Sequence, residues 1–203
     1  MGIISSIERQ KKNKSRVSIF VDGDFVLGLE ELVLMQERIK IGDEIDEDRL
    51  KEIAFRSDIS AAFNKAIKKL GTRLHSKKEI ARFLLEKGYE NEVIDNVMDK
   101  LNEYGYINDE RFGEEFIKSY AKKYGKHYVC MRLKEYGLDR GVIDRLLDYS
   151  DDDSLKRVAQ KYLSTRKGIT KQKLYGYLYS KGYASDDILL VIENLKEINQ
   201  DGD

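Results

Sequence analysis

The chain has 203 residues, 37 basic and 37 acidic, so its formal charge is zero while 36% of its side chains are charged and 41% hydrophobic. That balance excludes a whole-chain field that would by itself select nucleic acid or membrane, and the excess of charge over the usual quarter suits a body with much surface for its volume. A single cysteine, Cys130, excludes an intramolecular disulfide and points to a reducing, cytoplasmic setting; no apolar run reaches membrane-spanning length, and the start lacks the apolar core of a secretory signal.

Residues 1–56 predict a small antiparallel sheet with helices. Ile3, Ile4 and Ile7 give a strand signal, and Val17, Ile19 and Val21 alternate before Asp22-Gly23, a hairpin turn followed by an apolar run from Phe25 to Leu29. A helix follows over 30–37, then an extended piece over 39–45 broken at Gly42, and Asp46 caps a helix over 47–55. So few elements bury little alone, and the segment is expected to dock on the first of the helical modules after it. The loop between the first two strands is basic, with Arg9, Lys11, Lys12, Lys14 and Arg16. It reads equally as a solvated hairpin tip or as a phosphate-contacting arm.

From residue 57 one pattern is used three times. Aligned on Gly88, Gly137 and Gly182, a leucine stands four residues before each glycine (Leu84, Leu133, Leu178) and an aliphatic residue eight before (Ile80, Val129, Leu174). Isoleucine stands six after (Ile94, Ile143, Ile188). Two helices joined by a left-handed glycine explain this spacing, with Asn91, Asp139 and Ser185 as expected caps of the second. A further amphipathic helix precedes each pair, built on Ala62 to Leu70, Phe116 to Tyr124 and Leu155 to Leu163. The fold class is therefore mostly α: tandem three-helix repeats over 57–110, 111–152 and 153–203, in an elongated, curved array behind the small N-terminal antiparallel sheet. Proline is absent, as suits uninterrupted helices.

Charge segregates within each module. The stretches 61–85, 116–134 and 154–173 are basic, with Glu79 the one acid among them, whereas 86–115 carries ten carboxylates against three bases. Modules in register would align their basic halves into a stripe, for which the candidates are Arg73, Lys77, Lys78, Arg82, Lys126, Arg132, Lys171 and Lys173. A phosphate track and an acidic protein partner both fit such a stripe, and so does charge pairing inside each module. Tyr128, Tyr175, Tyr177 and Tyr179 lie nearby and read either as base-stacking rings or as half-buried packing. Catalysis has little support. His75 and His127 accompany no nucleophile or metal set, Cys130 reads as a buried small residue, and Asp151, Asp152 and Asp153 read as helix caps and dipole partners rather than as metal ligands. Neither a cofactor nor a metal is expected.

The run Arg73-Leu74-His75-Ser76-Lys77-Lys78-Glu79-Ile80, then Leu84 to Gly88, Gly105 to Phe112, Gly125, and Leu133 to Gly137, resembles the RecX family of regulatory proteins. Asn108, where an aspartate is common, and Gly113, where alanine is common, are mild departures. The resemblance covers about 60–200 and implies a non-enzymatic modulator of the RecA recombinase in DNA repair and recombination. It implies tandem three-helix repeats that bind the RecA filament, with possible direct contact to single-stranded DNA, and that restrain filament growth and strand exchange; the protein is expected to be a monomer. The competing classes are a helical-repeat DNA-binding protein acting without RecA and a protein-interaction solenoid with no nucleic-acid role. A helix-turn-helix reading is disfavoured by leucine four residues before each glycine, where close helix crossing wants a small residue.

Overall fold

The computed structural model describes residues 1–11, 13–149 and 151–195, which fall in two compact units, Met1–Ile107 and Asn108–Asp203. In the first, strands β1 (Gly2–Arg9), β2 (Arg16–Val21) and β3 (Asp24–Glu30) are joined to β4 (Glu44–Ile45) in an antiparallel sheet of order β3-β2-β1-β4. Asp22 and Gly23 both have positive φ, 51° and 93°, the backbone a two-residue hairpin needs. Helix α1 (Glu31–Gln36) follows β3, and positive φ at Arg38 and Gly42 turns the chain so that only two residues of the expected 39–45 strand pair.

Helix α2 corrects the sequence reading. The helices expected over 47–55 and from Ala62 are one continuous helix, Glu47–Leu70, capped by Asp46, whose side chain accepts from the Arg49 N–H. Nothing between Phe55 and Ala62 breaks a helix. Its Ile53 belongs to the core under the sheet with Ile4, Ile19 and Leu29, while Ile59, Ala62 and Ala66 belong to the next core. The sheet is thus tied to the first module by a shared helix, and by the buried Ser57 hydroxyl, which accepts from the Glu30 N–H at 2.9 Å.

The three modules repeat one geometry. Module one comprises the end of α2, α3 (Lys77–Glu86) and α4 (Asn91–Glu103); module two α5 (Asp109–Tyr120), α6 (Lys126–Glu135) and α7 (Arg140–Leu146); module three α8 (Asp152–Ser164), α9 (Lys171–Ser180) and α10 (Ser185–Asn194). Gly88, Gly137 and Gly182 have φ of 84°, 86° and 83°. After each, the next residue's N–H reaches back to the leucine carbonyl (Tyr89 to Leu84, Leu138 to Leu133, Tyr183 to Leu178), closing a Schellman turn. The repeated apolar positions are all buried, Leu84, Leu133 and Leu178 completely.

Two of the three expected caps are displaced by one residue. Asp139 does cap α7, accepting from the Gly141 N–H, but α4 and α10 start after Glu90 and Ala184, and Asn91 and Ser185 are their first helical residues. The glycine turn fixes the cap two residues after glycine in every module, whatever residue stands there. Asn108 caps α5 as an aspartate would, and the space a Cβ on Gly113 would fill is occupied by Leu146. Both departures from the family pattern are therefore accommodated.

Within the second unit, modules two and three are spliced end to end. The Gly125 and His127 N–H groups at the start of α6 donate to the Lys181 and Gly182 carbonyls at the end of α9, and the Lys126 N–H donates to Asp151 Oδ2. A Cβ on Gly125 would lie 2.2 Å from the Gly182 oxygen, and one on Gly182 would lie 2.4 Å from the Tyr128 nitrogen. A Cβ on Gly88 meets nothing within 4 Å. Gly88→Ala should therefore cost only the left-handed strain, about 1–2 kcal/mol. Gly182→Ala adds a backbone collision and should cost about 2–5 kcal/mol in urea denaturation followed by circular dichroism. Equal losses at the two positions would contradict the splice.

Candidate functional site

The middle helix of each module begins with a lysine. Lys77, Lys126 and Lys171 each stand eleven residues before the turn glycine and open α3, α6 and α9. A helix N-terminus carries partial positive charge and favours acids in its first turn, by about 0.3–1 kcal/mol each. Helices α2, α4, α5, α8 and α10 follow that rule, and so does α3 through its capping-box Glu79, whereas α6 and α9 have no first-turn acid. A lysine therefore heads the middle helix at corresponding points of three modules, without a first-turn acid to offset it in modules two and three, and α7, opening with Arg140, also has none.

The remaining stripe candidates divide into neutralised and open cations. Arg73 pairs with Glu79 at 2.7 Å, Arg82 approaches Glu86 at 3.6 Å, and Arg132 pairs with Glu135. Charge pairing inside the modules thus takes these three arginines. Lys78, Lys171 and Lys173 are exposed and form no ion pair among the described residues. In the basic arm, Arg9 and Arg16 end their strands paired with Glu31 and Glu30, leaving Lys11 and Lys14 exposed in the hairpin loop. Lys12 lies outside the described residues.

His75 and Glu79 form a local structural group. Ser76 caps α3 by accepting from the Glu79 N–H, and Glu79 accepts in return from the Ser76 N–H at 3.1 Å. Burial pushes the Glu79 carboxyl up, but the Arg73 guanidinium and the Ser76 N–H pull harder and hold it below the ordinary carboxylate range. His75 is 3% exposed; burial and then Arg73 lower its imidazole pKa, while Nδ1 stands 3.6 Å from Glu79 without a hydrogen bond. These groups hold a helix end and present no reactive atom.

A cleft of about 580 Å³ at the splice between modules two and three is lined by Lys126, His127, Cys130, Tyr149, Asp151 and Asp187 among others. Cys130 is half-buried here, less enclosed than its sequence position suggests. The Asp151 side chain does not cap its own helix α8 and instead caps α6, which corrects its expected role. Asp151, Asp152 and Asp187 bring carboxylate oxygens within 4.8 Å of one another, spacing that could hold a cation, although one Asp151 oxygen is committed to the Lys126 N–H. Burial first, then Asp151, Asp152 and Asp186, push the Asp187 carboxyl up. Burial and Asp151 push the Tyr149 phenol up to about 12.

The structure also places cations outside the eight stripe candidates on aromatic rings, and of these Lys87 and Lys181 lie outside the basic stretches of the sequence. Lys69 and Lys87 lie over the Phe83 ring at 5.5 and 5.6 Å, and Lys181 lies between Tyr124 and Tyr177 at 4.6 and 5.6 Å. Tyr177 stacks on Tyr162 at 3.9 Å, and Tyr162 carries Arg166 at 4.6 Å. Lys87 and Lys181 each immediately precede a turn glycine, a spacing visible in the aligned modules.

Fold and site together define a protein of repeated three-helix modules that presents lysine-headed helices. Residues 2–46 match the family described as "Regulatory protein RecX N-terminal domain", 62–101 "RecX, first three-helix domain", and 150–192 "RecX, third three-helix domain". The chain is 32% identical over 202 residues to "Regulatory protein RecX" of Clostridium tetani, covering 95% of this chain and 94% of that one. It is also 32% identical to the protein of that name from Bacillus velezensis, covering 99% of this chain and 80% of the relative. The chain belongs to the RecX family of regulatory proteins. A crystal structure of regulatory protein RecX shares the fold with a TM-score of 0.75 at 23% identity, covering 96% of this chain and all of that one. RecX from Lactobacillus salivarius matches 70% of this chain at a TM-score of 0.62. No helix among the described residues is long and apolar enough to cross a membrane.

The His75 and Glu79 shifts fix a pH dependence. Both groups bind protons less readily folded than unfolded, so the unfolded chain takes up more protons as pH falls and stability drops. The loss should begin below about pH 6.5, the ordinary histidine range, and continue through the carboxylate range. Urea midpoints measured across that interval should show it, and His75→Gln should remove the upper part; an unchanged upper limb in that variant would contradict the assignment.

Proposed function

We propose that this protein regulates the RecA recombinase by binding its filament on single-stranded DNA and restraining filament growth and strand exchange. Membership of the RecX family supports the class of activity. The observation that carries the binding mode is the lysine at the head of the middle helix in all three modules, set against the helix dipole. A lysine repeated at the same point of each module suits an anionic, repeating target. Several weak contacts of this kind, joined in one chain, give avidity without any single dominant residue.

The test separates stability from binding. Lys171→Glu with Lys173→Glu places acids in the first turn of α9 and builds, with Thr170, the reciprocal cap that Ser76 and Glu79 make in module one. The pair should stabilise the helix by about 0.5–1 kcal/mol, yet weaken capture of preassembled RecA filaments about tenfold near 0.1 M salt. Capture by the unaltered protein should persist at salt concentrations where its binding to bare single-stranded DNA has vanished. Equal affinity for filament and bare strand across the series would instead favour a DNA-binding protein acting without RecA.

A further inference from the structure

Each module carries one cation and one aromatic ring, four residues apart, at the end of its middle helix. The positions are five and one before the turn glycine: Phe83 and Lys87, Arg132 and Tyr136, Tyr177 and Lys181, with charge-to-ring distances of 5.6, 5.5 and 5.6 Å. Module two reverses the order, and Arg132 there is already taken by Glu135. In modules one and three the cations are open. Lys87 and Lys181 form no ion pair among the described residues, and neither do the cations that join them on the same aromatic groups, Lys69 and Arg166.

We infer that the cation–ring pairs of modules one and three contact single-stranded polynucleotide directly, the ammonium groups taking phosphates and the ring clusters taking bases. The inference rests on the proposed function only in expecting such a strand to be the polymer at hand. Among the described residues, carboxylates already occupy many of the arginines, yet none pairs with these four cations. An acidic protein partner would offer the same group that this surface leaves unused. A polynucleotide offers phosphate at every step and a planar base for the ring beside it. Lys181 fits that double chemistry, because its charge is held between two rings and not by a carboxylate.

The experiment uses the full chain without recombinase, with a fluorescein-labelled oligothymidylate and an abasic strand of equal length as probes. Removing two phosphate contacts with Lys87→Gln and Lys181→Gln should make the plot of log affinity against log salt shallower by about 1.4, or about 0.7 per contact on a single strand. Tyr177→Leu should weaken oligothymidylate binding about fivefold and leave the abasic strand unaffected. Thermal melts check that the variants fold; if Tyr177→Leu does not, the lysine pair decides alone. An unchanged salt slope, or no measurable binding of the unaltered protein to the oligonucleotide, overturns the inference. So does loss of filament capture without any change on the bare strand, which would assign the pairs to a protein surface. Failure of the unaltered protein to capture filaments would count against the proposed function, while the bare-strand slopes would still decide this one.

Discussion

Each module is closed by a glycine in the left-handed region, and the rest of its geometry depends on that turn. With φ near 85° at Gly88, Gly137 and Gly182, the following N–H turns back to the carbonyl of a buried leucine, and the chain reverses within three residues. That reversal puts the aliphatic residue eight positions before glycine and the isoleucine six after it into one core. It also sets where the next helix starts. Any side chain with a Cβ would strain this turn, so the module depends on one residue type at one place.

Much of this was legible in the sequence because it is local. The glycine, the leucine and the isoleucine stand at fixed offsets, and the hairpin at Asp22-Gly23 announces itself by composition. Caps were harder: Asn91 and Ser185 have the right chemistry, but the turn sets the boundary one residue earlier, at Glu90 and Ala184. The continuity of α2 was missed because its two halves serve different cores, and a change of buried face resembles a break when only periodicity is read. Gly125 gave no sign of its purpose. Its need to lack a side chain comes from Gly182, 57 residues away, and a contact between two backbones leaves little trace in either local pattern.

The charges show the same division between local and tertiary information. Segregation into basic and acidic halves can be counted from composition, yet counting does not tell a cation held by a neighbouring carboxylate from an open one. Arg73, Arg82 and Arg132 are of the first kind, and Lys78, Lys171 and Lys173 of the second. Lys181 lies outside the basic stretches altogether, and one of the two rings that hold it, Tyr124, belongs to a different module. Solvated pairs such as that of Arg82 contribute little to stability, so the folding of these modules rests on their apolar cores and glycine turns. The open lysines are then available for binding without loss of the fold.

If the three modules grip one repeating target together, their contributions should be graded. The most direct measurement is the affinity for preassembled RecA filaments of variants in which Lys77, Lys126 and Lys171 are replaced by glutamine one, two and three at a time. Avidity predicts a stepwise fall with each replacement, of similar size whichever module is altered first. A series in which one replacement abolishes capture and the other two change nothing would place binding at a single locus and contradict the shared grip.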